Sequence, residues 1–512
     1  MATRLEEIHQ ERQTPAYWEA LLLPWLAAWI ENLYDRYLRL REVRETLPGA
    51  RFEMPRITVP PALYGKSCDV WGHAHLHSAN ARIYALLIDV MGLSGAVQSL
   101  EAVVVDDDKS AAPRASQKLK ALIFRHIRAI ARPDPFRRAG FPWRELKDDS
   151  LNDDGFERSS LDRLQLRLGP ADDEFETILG ALMPQALPIS LFEEYRSRRA
   201  YADRFMQLNG LKTIVVSSSL WSNDSIKYVM AGLRAANGRV VARQHGAGYG
   251  CFETITPERV ERRLADRFIS WGWDDERSCP VVPLPEPRLS EIADKHRQES
   301  DDILFVGSQG PMYMFRYQSY WIPEFVLGAY WPMQETFFRR LSESLRASLV
   351  YKPFHQDYGW GERARVSRVV PGMRFDESSG AIKGMQRSKL VVIDHPGTSL
   401  LQALAMNAPT VAFWNPSQCP MRSEAYPYFA LLREVGILHD GPEQAARHVG
   451  EIGLDPRSWW SNSAVQAARK RFCRRFAWSD PHWETMWRNA LGAGAEICGN
   501  PSSAATPGPA RE

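Results

Sequence analysis

The sequence predicts an α/β protein of two Rossmann-like parallel-sheet domains facing across a cleft, preceded by an N-terminal helical segment. Three observations carry this. Short β-branched runs alternate with helix-like runs from about residue 185 onward, the pattern of a parallel sheet covered on both faces. A Pro-rich and then charged stretch, CPVVPLPEPRLSEIADKHRQESDD (279–302), separates two such alternations. Turns rich in Gly, His and Ser follow strands in both halves, at the carboxyl ends where open parallel sheets bind ligands.

The elements read as follows. Residues 1–48 form a helical segment rich in Trp, Leu and Tyr, with Pro24 inside it and apolar residues at helical spacing through 31–46. A first α/β domain spans 49–290. It opens with a helix-like run, RIYALLIDVMG, and a strand-like AVVV. Its best-defined part is the strand LKTIVVSSS, the helix WSNDSIKYVMAGLRAANG closed by Gly238, the strand RVVARQHGAGYG and the strand DRFISWGW. The second domain spans 300–487. Its strands are DILFVGSQ, SLVYKPF, one near MRFDE, KLVVIDHPGTS and PTVAFWN, with the helix LLQALAMN before the last. Residues 488–512, ending GNPSSAATPGPARE, are expected to be a disordered tail.

Composition narrows the function classes. The 512 residues carry 64 Lys plus Arg against 62 Asp plus Glu, a net charge of +2. That balance argues against nucleic acid as a partner, since phosphate binding needs a concentrated excess of cations. None of the six cysteines are at CxxC spacing, so neither a zinc ribbon nor a disulfide scaffold is expected. The polar start, MATRLEEIHQERQ, lacks the apolar core of a signal peptide, and ALLLPWLAAWI (20–30) is too short to span a bilayer, which takes about 20 apolar residues. A cytoplasmic location follows as the expectation. A basic stretch, 114–138, has no acid between Lys109 and Pro133 and carries apolar residues at 3–4 spacing. It fits either a solvated helix face or a peripheral contact with anionic membrane, where Trp18, Trp25, Trp29 and Tyr34 of the first helix would add aromatic anchors.

Four motifs carry candidate chemistry. In Gln244-His245-Gly246-Ala247-Gly248-Tyr249-Gly250, the glycines allow tight turns at a strand end, and His245 would point into the cleft as a general base. It is equally a histidine that only ties the loop. The spacing is not a dinucleotide fingerprint. In DHPGTSLLQAL, a strand ends at Asp394 and a helix begins near Thr398; Thr398 and Ser399 can cap it, and its N–H groups suit a diphosphate. Lys352 and His355, after SLVY, suit phosphate or carboxylate contacts, and fit a solvated loop equally well. Gly307-Ser308-Gln309-Gly310, after ILFV, is a further candidate phosphate loop. Asp106, Asp107 and Asp108 follow a strand-like run and read as a solvated turn. His73, His75 and His77 would share one face if they lay on a strand, where they could hold a metal; no fixed fourth ligand is seen, and no metal site is assigned.

YWEALLLPWLAAWIENLYDR, WSNDSIKYVMAG, RQHGAGYG, DRFISWGW and DHPGTSLLQALAMNAPTVAFWNP, in this order, resemble a bacterial transferase family linked to O-antigen and surface-carbohydrate biosynthesis, with the character of GT-B-type glycosyltransferases. The resemblance implies an acceptor in the N-terminal domain and a nucleotide-sugar donor in the C-terminal one. It implies His245 as catalytic base, with Gln244, Gly246 and Gly248 in the acceptor-side loop. Gly307, Ser308, Lys352, His355, Asp394, Thr398, Ser399 and Gln402 would lie on the donor side. No metal and no cofactor are expected beyond the donor itself; the partners are a nucleotide-sugar and a carbohydrate or lipid-linked acceptor. Gln402 stands where related transferases often carry a ribose-binding Glu. Relatives commonly run longer at the N-terminus, so part of the acceptor side is expected to be trimmed. A sugar-nucleotide epimerase or glycerophosphate-type transferase on the same fold, and a non-catalytic carbohydrate-assembly subunit, are the alternatives.

Overall fold

The computed structural model describes residues 1–55, 60, 62–74, 76–93, 97–100, 134–146, 148, 163–169, 171–275, 279–320, 325–492 and 495–499. Most of the basic 114–138 stretch, Asp106–Asp108, His75 and residues 500–512 lie outside them.

Fourteen strands are described. β1 (Phe52–Pro55) and β2 (Val97–Leu100) form a separate parallel pair. The first large sheet uses β3 (Trp143–Glu145), β4 (Thr213–Val216), β5 (Arg239–Arg243), β6 (Arg267–Ser270), β7 (Val281–Pro283) and β14 (Ala495–Gly499), in the order β3-β14-β4-β5-β6-β7. The second uses β8 (Ile303–Val306), β9 (Leu349–Lys352), β10 (Arg374–Phe375), β11 (Leu390–Ile393), β12 (Thr410–Phe413) and β13 (Leu438–His439), in the order β10-β9-β8-β11-β12-β13. Every neighbouring pair in both sheets is parallel. β8 and β11 expose none of their four residues, as expected of strands with helices on both faces. Counted from β8, the second sheet runs 3-2-1-4-5-6, the doubly wound order, and its direction reverses between β8 and β11. Ligands bind outside the carboxyl ends of such a pair. The loops found there are 307–309 and 394–399.

The stretch expected as a linker is partly built into the first domain. β7 closes the first sheet, and the helix Pro287–Ile292 touches both halves, packing on the helices Trp483–Leu491 and Pro135–Arg138 and on the second domain's helix Thr398–Ala405, so the crossing is made there and through 293–302. The chain also returns. After the helix Ser463–Phe476, the helix Trp483–Leu491 joins the first domain's core, with Trp487 Nε1 donating to Pro285 O at 2.8 Å and its ring 4.7 Å from Phe136. β14 then inserts between β3 and β4. The expected tail over 488–512 is therefore replaced, through residue 499, by a helix end and a strand: β14 supplies backbone donors and acceptors that the β3 and β4 edges would otherwise leave unpaired.

Thr14 caps the long helix Pro15–Thr46 by accepting from Tyr17 N at 3.2 Å, with Pro15 in the first turn. This helix is core. It packs on the helices Asp224–Ala235 and Thr256–Leu264, and Trp18, Trp25 and Trp29 are buried while Tyr34 packs on Phe175 at 4.8 Å. Those rings cannot also lie in a membrane interface, so the helix is packed on the body of the protein and the alternative of an aromatic anchor falls. Among the described residues no helix is long and apolar enough to cross a membrane. His73 and His77 are at helix ends rather than on a strand: His73 follows the helix Asp69–Gly72, and His77 opens the helix His77–Val90 and contacts Tyr313 OH at 3.0 Å.

Candidate functional site

The 244–250 loop leaves the carboxyl end of β5 and meets the second domain directly. Ala247 N donates to Thr398 Oγ1 at 3.1 Å, and Gly246 lies close enough to that hydroxyl that a Cβ would approach it to 3.6 Å. Glycine is needed at the turn itself. Gly248 (φ 94°) and Gly250 (φ 70°) are left-handed, and a Cβ on Gly250 would come within 2.4 Å of the Trp273 ring. Glu258 steadies the turn by accepting from Gly250 N at 2.8 Å, and it pairs with Arg422 of the second domain at 2.9 Å.

His245 sits at this junction with its side chain 24% exposed. Tyr249 OH lies 3.0 Å from its Nδ1 and donates at 3.2 Å to Glu261 Oε1, which also accepts from Trp221 Nε1 at 2.7 Å. The same hydroxyl lies 3.4 Å from Nε2, and Nδ1 lies 3.4 Å from Glu261 Oε1; with the tyrosine proton on Glu261, the shorter contact assigns Nδ1–H as donor to the phenolic oxygen and leaves Nε2 as the acceptor nitrogen. Burial pushes His245 down to about 3, helped by the Arg316 and Arg243 charges, and pushes Glu261 up to about 8. At neutral pH the group is a neutral imidazole backed by a protonated carboxyl. Glu261 and Tyr249 escaped the sequence reading; the only available signal was Tyr249 in the loop and an acid on the strongly amphipathic helix Thr256–Leu264.

Other expected residues are placed differently. Gln244 is 1% exposed and held by three hydrogen bonds: its Nε2 donates to Gly246 O at 2.8 Å, and its Oε1 accepts from Trp271 N at 3.0 Å and Trp273 Nε1 at 2.9 Å. It builds the loop rather than offering a contact to a ligand. Lys352 donates to Asp376 O at 3.0 Å and to Ser378 O, so its ammonium pins the turn at 376–378. Burial lowers its pKa. Gly307 is a packing glycine, since a Cβ would meet Tyr351 OH at 2.1 Å, and Ser308 N donates to Tyr330 OH at 2.8 Å. Asp394 is fully buried; it accepts from Gln334 Nε2 at 2.6 Å and holds His395 Nδ1 at 3.0 Å. His395, unassigned from sequence, is thus oriented by its neighbour. His355 is exposed, with its ring 4.2 Å from Phe354.

The helix Thr398–Ala405 is capped by Gly397 without a side-chain bond, which corrects the expected hydroxyl caps. Thr398 uses its hydroxyl across the domain boundary instead. Ser399 and Gln402 are half-buried on the same helix. The site therefore brings together His245, Tyr249 and Glu261 from the first domain and the 394–399 loop from the second. A cavity of about 1110 Å³ also opens between the domains, lined by Arg259, Arg262 and Met421 among others, but it includes neither His245 nor the 394–399 loop. Among the described residues no group of three or more His, Cys, Asp or Glu could hold a metal ion.

No curated protein sequence matches the chain. Among solved structures, it is similar to S. aureus MnaA in complex with UDP, at 11% identity and TM-score 0.36, over 58% of this chain and 80% of that one. It is also similar to the spinosyn rhamnosyltransferase SpnG complexed with spinosyn aglycone, at 13% identity and TM-score 0.30, over 58% and 79%. The family match is far more extensive: the LIC12162 family transferase profile covers residues 1–491, and the chain belongs to that family of transferases.

Proposed function

We propose that the protein is a glycosyltransferase that moves a sugar from a nucleotide-sugar donor to a surface-polysaccharide or lipid-linked acceptor, as in O-antigen biosynthesis. One observation carries this reading. His245 stands at the end of β5, on the loop whose Ala247 N–H bonds the helix start at the reversal point of the second sheet. A proton acceptor thereby faces the place where a doubly wound sheet takes a nucleotide.

In this reading, the acceptor hydroxyl donates to His245 Nε2. As its oxygen bonds to the anomeric carbon, the proton passes to the imidazole, and the bond from that carbon to the donor phosphate oxygen breaks. The nucleotide leaves with the electron pair, and the N–H groups of Thr398 and Ser399 face its charge. Gln402, one turn along, is the candidate ribose contact. His355, exposed after β9, is a further candidate donor contact. The reading includes no metal and no cofactor. It also includes a cytoplasmic location, with the basic 114–138 stretch as a contact for anionic lipid beside a lipid-linked acceptor.

The test is a thermal-shift screen of the full chain against UDP-, GDP-, CDP- and CMP-sugars, followed by product analysis with carbohydrate acceptors. Acceptor-dependent release of the nucleotide supports the proposal. A changed sugar with the nucleotide still attached, and no acceptor consumed, would make the protein an epimerase. Binding to none of the donors would leave no basis for a sugar-nucleotide enzyme.

A further inference from the structure

The 307–320 segment after β8 carries Arg316 into the junction between the domains. The first domain holds this segment from several sides. Asn32 Nδ2 donates to Phe315 O at 2.9 Å, and Arg36 donates to Met314 O. Ser319 N donates to Thr254 O at 2.8 Å, and Thr256 N to Tyr317 O at 3.4 Å. Arg36 is itself fully buried and fixed by Asn80 Oδ1 at 2.7 Å. The backbone on both sides of Arg316 is therefore fixed, and the guanidinium is stationed rather than wandering.

Arg316 is half-buried, and its guanidinium lacks the partners an enclosed cation ordinarily has. Among the described residues it makes no hydrogen bond and no ion pair, and its Nε is sealed from solvent without a partner. Its carbon lies 4.9 Å from the Phe315 ring and 6.0 Å from the Trp71 ring. The acids that feel its field are Glu31 and Glu261, and burial pushes them up to about 7 and about 8, so neither supplies a full negative charge at neutral pH. Tyr249, Tyr358 and His245 are its other titratable neighbours, and these too are uncharged at that pH. A partly desolvated charge without a counter-charge is unfavourable, and an anion entering the site relieves it.

We infer that Arg316 is an anion-binding residue of the cleft that takes the phosphates of a nucleoside diphosphate beside His245. The assignment of the anion rests on the glycosyltransferase reading above; the demand for an anion does not. Its planar fork suits bidentate contact with phosphate oxygens, and the aromatic rings hold its plane. Arg316 was not singled out in the sequence because a lone Arg in YMFRYQS has no motif around it.

The test uses the full chain with Arg316→Lys and Arg316→Gln, their folding checked by circular dichroism and melting. Binding of inorganic pyrophosphate, and of UDP, GDP and CDP, is measured by calorimetry. Arg316→Gln is expected to weaken the nucleoside diphosphate that binds, and pyrophosphate, by about 10- to 100-fold, with Arg316→Lys between it and the wild type. Affinity for the matching nucleoside, which has no phosphate, should not change. Diphosphate affinity equal to wild type in Arg316→Gln would overturn the inference and leave the glycosyltransferase reading standing. Arg316-dependent binding of pyrophosphate with no nucleoside diphosphate bound would keep the anion site and remove the nucleotide. Absence of all binding to the wild type would overturn both.

Discussion

Ala247 N donates to Thr398 Oγ1 at 3.1 Å, which joins the loop of the candidate base in one domain to the helix start of the other. This bond is one of several across the boundary, beside the Glu258–Arg422 ion pair and the backbone bonds that hold the 314–319 segment. Thr398→Val keeps the shape and removes the acceptor, leaving the Ala247 N–H unpaired. A loss of about 1–3 kcal/mol is expected if the domains cannot separate to let water in. If they do separate, small-angle scattering should show a larger radius of gyration at little loss of stability. An unchanged melting point together with unchanged scattering would mean that the bond does not hold the domains.

His245→Ala should lower turnover of a matched donor and acceptor by roughly 10²–10⁴-fold. Donor affinity should change little, because the imidazole stands in the first domain. Turnover equal to wild type would remove His245 from catalysis.

Glu261 gives a pH signature. Its folded pKa is raised to about 8 by burial, so its contribution to stability is fully present below the ordinary value of 4.5 and is lost as pH rises through about 8. Glu261→Gln can still accept from Trp221 and Tyr249 but cannot titrate. Its melting temperature should therefore fall less than the wild type's between pH 5 and pH 9. Parallel profiles would show that Glu261 is not protonated in the fold.

Lys352→Ala should unfold more easily and bind nucleotide as before. The ammonium is committed to Asp376 O and Ser378 O, and losing such a charge-assisted contact takes away about 1.5–3 kcal/mol. Calorimetry showing a tenfold weaker nucleotide with an unchanged melting point would return Lys352 to the donor site.

The proposed membrane contact rests on the basic 114–138 stretch alone, since Trp18, Trp25 and Trp29 are buried. Flotation with anionic vesicles should weaken with salt, because the Debye length falls to about 3 Å at 1 M. It should not change in Trp18→Phe, whose ring lies 5.5 Å from Tyr195 inside the core. Absence of flotation at low salt would remove the contact.

The sequence by itself determined the two parallel sheets, because alternation of buried strands with amphipathic helices is a local periodicity written every few residues. It also marked the strand-end turns at 244–250 and 394–399, since glycine, proline and hydroxyl residues signal their backbone demands locally. Tertiary structure alone decided what each polar group meets. Lys352, Gln244 and Asp394 look like ligand contacts in the chain and are consumed by partners in their own domains. Glu261, Tyr249 and Arg316 look ordinary and converge on the junction. The tryptophan-rich helix suits a membrane or a core equally well by composition, and its packing on the helix Asp224–Ala235 chose the core. The strand AEICG, too short to declare a period, is defined by the β3 and β4 edges it pairs with, some 280 residues or more away along the chain. Each of these outcomes depends on which groups remain unpaired after long-range packing, and no local pattern encodes that remainder.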